Sequence, residues 1–144
     1  MIYLIITTSI NNKTGPTDFE HRKNRYINSI KPLLSLIEND DSIKPIVVEN
    51  NGLRQTYLDE LNCDVFYTDN NKLNFYHKGV NELLDIQEVI RHYNIQDDDV
   101  IIKLTGRYKI LDSTFINLVK NKAIIDDFHL FEEIYAHYYL GIEM

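Results

Sequence analysis

A single cysteine, Cys63, excludes an intrachain disulfide framework. It lies in Leu61-Asn62-Cys63-Asp64-Val65, beside an expected strand, where a free thiol is a structural side chain. Basic residues are also scarce: 15 Lys and Arg stand against 22 Asp and Glu, giving a net charge of −7. No basic field is available to hold a nucleic-acid backbone, so nucleic acid is set aside as a partner. No apolar run approaches the roughly 20 residues of a membrane span. The opening Met1-Ile2-Tyr3-Leu4-Ile5-Ile6 is too short for a secretory signal and has no basic residues before it, so a cytoplasmic protein is expected. Glycine-rich phosphate loops of the G-x-G-x-x-G or G-x-x-x-x-G-K-[ST] kind are missing, which weakens dinucleotide and P-loop readings. His77, His92, His129 and His137 are scattered without zinc-like spacing, and no metal ligands are assigned.

What is present suits one globular domain over residues 1–144, with 44% apolar residues, no repeats and no linkers. Residues 2–6 form an apolar, β-branched run, as in a strand covered on both faces, and break into Thr7-Thr8-Ser9. Thr17 or Asp18 can cap the next helix, where Phe19, Tyr26, Ile30, Leu33 and Ile37 recur at helical spacing and Pro32 is expected to kink or interrupt it. A strand over 45–48 ends in Glu49-Asn50-Asn51-Gly52, a brief helix covers 54–61, and a third strand over 65–68 ends in Asp69-Asn70-Asn71. The positions Val80, Leu83, Leu84, Gln87, Ile90 and Tyr93 predict an amphipathic helix over 78–93. A strand over 99–104 follows, then helices over 113–121 and 127–140, the last closed by Gly141. Such alternation predicts an α/β three-layer sandwich around a mostly parallel sheet.

In a parallel sheet the polar clusters after the strands share one edge, and ligands bind beyond the carboxyl ends of the strands. Thr7, Thr8, Ser9, Glu49, Asn50 and Asn70 fall there, as do Lys103, Thr105, Gly106 and Arg107. Arg22 falls near the apolar line of the first helix, from which a guanidinium can grip a diphosphate. Lys78 and Gly79 open the long helix, whose free backbone N–H groups attract anions. Asp97-Asp98-Asp99 precedes its strand, at the edge opposite the expected cleft, and reads as a solvated turn rather than a metal site.

The turn Lys103-Leu104-Thr105-Gly106-Arg107-Tyr108 resembles one found in a group of glycosyltransferase-like proteins of the GT-A fold, many of them viral or tied to surface-polysaccharide synthesis. In that group it stands where most GT-A enzymes carry a metal-binding Asp-x-Asp. Thr7-Thr8-Ser9 followed by Arg22-x-x-Arg25-Tyr26, and Lys78-Gly79-x-x-Glu82, also match, and the likeness covers residues 1 to about 110. The resemblance implies an NDP-sugar donor, a glycan or other hydroxyl acceptor, and a donor site including Arg25, Tyr26, Lys78, Glu82, Lys103 and Arg107. It implies that Glu132 and Glu133 are the candidate acid or base. Mn or Mg is an implied possibility, though Asp-x-Asp is absent at the expected position. Little chain follows the turn, so the acceptor side is expected to be truncated. A degenerate, non-catalytic nucleotide-binding relative and an unrelated flavodoxin-like module stand as alternatives.

Overall fold

The apolar run after Met1 forms β1, Ile2–Thr8, buried from Leu4 onward. The computed structural model describes residues 1–11, 18–52, 54–121 and 142–143. β1 pairs in parallel with β2, Ile43–Glu49, on one side and with β4, Val100–Thr105, on the other. β3, Asp64–Tyr67, adds to β2, so the four parallel strands run in the order β3-β2-β1-β4. Pro45 sits inside β2 opposite Leu4, but β3 pairs only from Ile46 onward. At Pro45, β2 is therefore still an edge, where a residue without an N–H is tolerated.

Strand alternation sends side chains to two faces, each covered by one helix. Leu4 and Ile6 of β1, Val47 of β2, and Ile102 and Leu104 of β4 pack with Tyr26, Ile30, Leu33 and Ile37 of α1, Phe19–Ile37. Tyr3 and Ile5, Ile46 and Val48, and Phe66 face the other way, onto Ile86, Val89 and Tyr93 at the end of α2, Lys78–His92. This is a three-layer arrangement with a parallel centre. Short pieces complete it: 3₁₀ turns over Tyr57–Glu60 and Asn70–Lys72, a helix α3 over Thr114–Lys120, and two-residue strands β5, Lys109–Ile110, and β6, Ile142–Glu143. β5 and β6 pair antiparallel in a separate ladder.

Asp18 caps α1, its carboxylate accepting from the His21 backbone N–H at 3.1 Å. The helix runs through Pro32 to Ile37 instead of stopping there. Pro32 and Asn28, whose carbonyl loses its helical partner, both lie on the exposed face, where such a loss is least costly. The helix expected over 127–140, with Gly141, Glu132 and Glu133, lies outside the described residues. Among the described residues no helix is long and apolar enough to cross a membrane.

Leu33, fully buried between α1 and the sheet, tests this packing. Leu33→Ala is expected to cost about 2–5 kcal/mol, seen as a lower urea midpoint with an unchanged m-value.

Candidate functional site

The strand order places a switch point beside β1. The chain winds from β1 outward through β2 to β3, then returns to lay β4 on the opposite side of β1. A crevice opens at such a point beyond the strands' carboxyl ends. Here it is a cleft of about 230 Å³ lined by Thr7, Thr8, Ser9, Arg22, Tyr26, Asn50, Asn71, Gly79, Asn81, Glu82, Asp85, Thr105, Arg107 and Tyr108. A larger groove, about 570 Å³, lies at the opposite edge between the end of α1 and the start of β2. The smaller cleft is the candidate because the strand-end hydroxyls and two arginines converge on it.

Close backbone approach builds its floor. The Gly106 N–H donates to the Thr7 carbonyl at 2.8 Å, tying the turn after β4 to the end of β1. A Cβ on Gly106 would lie 3.0 Å from that same oxygen and 3.1 Å from the Tyr26 ring. The glycine is required by this contact and not by its backbone angles, since Gly52 is the described glycine with a positive φ, at 72°. Above the floor, the Tyr26 hydroxyl accepts from the Ser9 N–H at 2.9 Å and from Arg22 Nη2 at 2.9 Å. Burial pushes the Tyr26 phenol pKa up, so it stays protonated. Arg22 Nη2 also donates to the Ser9 carbonyl at 2.7 Å.

Arg22 is only 6% exposed, yet its buried Nε finds no acceptor among the described residues. Among the described residues no carboxylate lies within ion-pair distance of it, and the same holds for Arg107. Asp112, five residues after Arg107, accepts from the Thr114 N–H at 2.9 Å.

The carboxylates around the cleft are occupied. Glu49, fully buried, accepts from the Ile10 N–H at 2.7 Å, the Asn51 N–H at 2.9 Å, Asn51 Nδ2 at 2.7 Å and the Thr8 hydroxyl at 3.2 Å. It fastens the loop after β1 to the loop after β2. Asp85, 1% exposed on α2, accepts from Asn50 Nδ2 at 3.1 Å, Thr68 Oγ1 at 2.5 Å and Asn70 Nδ2 at 2.8 Å. Asn81 adds bonds from Nδ2 to the Asn70 and Leu73 carbonyls at 2.7 and 3.2 Å. Together they pin the ends of β2 and β3 to the first half of α2. Glu82 accepts from Thr7 Oγ1 at 2.5 Å and pairs with Lys103 at 2.8 Å. Burial pushes the carboxyl pKa values of Glu49 and Asp85 above the ordinary range, against the donors that pull them down.

Of the residues expected from sequence, the cleft brings together Thr7, Thr8, Ser9, Arg22, Tyr26, Asn50, Gly79, Glu82, Thr105 and Arg107. Gly106 lies beneath them. Lys103 is exposed and engaged with Glu82 and, at 2.9 Å, with Thr105 Oγ1. Arg25 is half-buried and does not line the cleft; its neighbour one turn back, Arg22, does. Glu49 and Asn70 hold loops, and Lys78 is the first residue of α2. Asp99 lies at the far edge, where the following Val100 N–H bonds the Met1 carbonyl at 3.0 Å.

Asn71, Asn81, Asp85 and Tyr108 escaped the sequence reading. Its expected apolar face on α2 was rotated: Val80, Leu83 and Gln87 are exposed, while Asn81, Asp85 and Val89 are buried. The first turns of α2 overlie the polar edge of the sheet and only its last turns overlie apolar strands. Asn and Asp four residues apart beside a strand-end Asn were the available signal.

Among the described residues no group of three His, Cys, Asp or Glu side chains is placed to hold a metal ion. Comparison with protein-family models, curated proteins and solved structures finds no match to this chain.

Asp85→Ala, which strips three buried donors of their acceptor, is expected to cost about 3 kcal/mol or more, and Asp85→Asn about 1–3 kcal/mol. A carboxyl with a raised folded pKa contributes stability that is present at low pH and lost as pH rises through that pKa. The wild type's advantage over Asp85→Asn should therefore narrow as pH rises above the ordinary carboxylate range, as read from paired thermal melts. Gly106→Ala should cost about 1–3 kcal/mol by forcing Tyr26 or the Thr7 backbone aside; an unchanged melting temperature would show that the close contact is not needed.

Proposed function

We propose that this chain is a GT-A-like glycosyltransferase that holds an NDP-sugar at the crevice between β1 and β4 and transfers the sugar to an acceptor hydroxyl. The observation that carries this reading is Arg22, a buried guanidinium without a carboxylate partner among the described residues, lining a cleft at the strands' carboxyl ends. An unpaired buried charge is costly, and a phosphate oxygen is the acceptor that relieves it. Thr7, Thr8, Ser9 and Thr105 line the same space, and so does Gly79 at the start of α2.

In the transfer itself an acceptor hydroxyl oxygen bonds to the anomeric carbon as the bond from that carbon to the diphosphate breaks. The nucleoside diphosphate leaves, and the hydroxyl proton passes to a base. Charge grows on the leaving diphosphate, and preoriented cations lower that barrier most effectively. Arg22 and Arg107 are the residues for that task. Glu132 and Glu133 are the candidates for the base on the resemblance alone.

A second reading, a nucleotide-binding relative without turnover, draws on the cleft's size. About 230 Å³ is below the roughly 300–1,000 Å³ of ordinary small-molecule sites and suits a diphosphate with part of its substituents. A flavodoxin-like module is disfavoured: that fold places its third strand beside the first, whereas here β4 takes the position.

A panel of NDP-sugars tests the site by thermal shift, where a ligand at 100 times its Kd stabilises by about 2.7 kcal/mol. Release of free nucleoside diphosphate with an added glycan acceptor separates the transferase from the silent relative. Gly79 gives a sharper test, because it lines the cleft and a Cβ there meets nothing within 4 Å. Gly79→Ala should raise stability by up to about 1 kcal/mol through helix propensity while weakening NDP-sugar binding several-fold. Greater stability with unchanged affinity would put the ligand elsewhere.

A further inference from the structure

Carboxylate oxygens and arginines are distributed very unequally in the cleft, and this bears on whether a divalent cation belongs in it. A GT-A resemblance brings Mn or Mg with it, and such ions need oxygen ligands that are free to coordinate. Among the described residues two carboxylates line the cleft, Glu82 and Asp85. Both oxygens of Asp85 are taken, Oδ2 by Asn50 and Oδ1 by Thr68 and Asn70. Glu82 Oε1 is held by Thr7 and by the Lys103 ammonium at 2.8 Å, so a divalent ion on this carboxylate would sit beside an existing cation. The donor set among the described residues does not fit the metal.

The guanidiniums show the opposite condition. Arg22 is nearly sealed from water, its Nη2 is engaged by neutral oxygens, and its Nε has no acceptor among the described residues. Arg107 reaches the same cleft from the turn after β4, again with no carboxylate partner among the described residues. Two cations without a carboxylate partner among the described residues match the two negative charges of a sugar diphosphate. A divalent ion added to them would leave the site over-charged.

We infer that Arg22 and Arg107 neutralise the donor diphosphate in this cleft in place of a divalent metal ion, so that donor binding is independent of metal. This rests on the donor-site reading proposed above. The phosphate oxygens accept from Arg22 on the α1 side and from Arg107 on the β4 side, with the Tyr26 hydroxyl orienting the first guanidinium at 2.9 Å. Planar forks suit phosphate oxygens better than an ammonium does.

Calorimetric titration of the whole chain with UDP-glucose, GDP-mannose and inorganic pyrophosphate decides it, run once with EDTA and once with excess Mn²⁺ or Mg²⁺. The expected result is that at least one of these probes binds with EDTA present, at a Kd within about threefold of its value with metal, a gap below 1 kcal/mol. Arg107→Met should weaken that binding by roughly 10- to 150-fold, the range of a charge-assisted hydrogen bond. Arg22→Met should do the same where its melt shows it folded; Arg22→Lys should recover part of the loss. Because Arg107 has no described ion pair to lose, its variant keeps the test valid should Arg22→Met unfold. Binding that appears only with metal, or tightens tenfold or more with it, would overturn the inference while leaving the donor site standing. Unchanged affinity in Arg107→Met and Arg22→Met would overturn it as well. Absence of binding to any probe in either condition would overturn the donor-site reading, and the inference with it.

Discussion

Parallel pairing of β1 with a neighbour on each side is the constraint from which the remaining architecture follows. In-register parallel strands must end together, so Thr8 faces Glu49 and Thr7 faces Thr105 at the close of their ladders. Polar residues close three of these strands and are buried there, Thr8, Glu49, Asn50 and Thr68 among them, held by hydrogen bonds between loops rather than by apolar packing. Outside β1 the two halves of the sheet diverge, and the Gly106 N–H bond to the Thr7 carbonyl closes the floor between them. The cleft is thus a by-product of strand order, lined by whatever the strand ends carry.

Burying charge at that edge has been handled in two different ways. Glu49 and Asp85 are surrounded by donors from separate loops, so each carboxylate acts as a fastening: four bonds gather at the first and three at the second. Removing the acceptor from such a cluster strands several buried donors at once, which makes these groups rigid parts of the wall. Arg22 is buried to a similar degree without an opposite charge among the described residues. On the proposed reading, a wall whose anions are satisfied internally and whose arginines have no carboxylate partner among the described residues suits an anionic guest. Rigidity on one side and unmet charge on the other are the two halves of preorganisation.

The strands and the order of elements were legible because β-branched apolar runs and the Asp18 cap are local signals. The shared polar edge could likewise be expected, since it needs only parallel pairing. Three features were not local. The face of α2 depends on which part of the sheet the helix crosses, and Asn81 and Asp85 are buried because it crosses the polar end first. The short pair β5 and β6 joins residues more than thirty positions apart in the sequence and has only two residues a side, too few for any pattern. The choice between Arg22 and Arg25 turns on helix phase: Arg22 and Tyr26 lie four residues apart and stack over one spot, whereas Arg25 is turned away from it. Resemblance favoured Arg25, and the register of α1 against β1 favours Arg22.

Tyr26 is where these constraints meet, and its position explains why the turn after β4 carries a glycine. The ring fills the space between α1 and the floor, and its hydroxyl bridges the Ser9 backbone and the Arg22 guanidinium. A larger residue than glycine at position 106 would contact the ring, and a displaced ring would carry the hydroxyl away from Arg22. Steric fit under the floor is thereby converted into the direction of a charge above it. The permissive residue in this turn serves the cleft indirectly: it offers no group to a ligand, but its missing side chain lets the tyrosine lie close enough to aim the arginine.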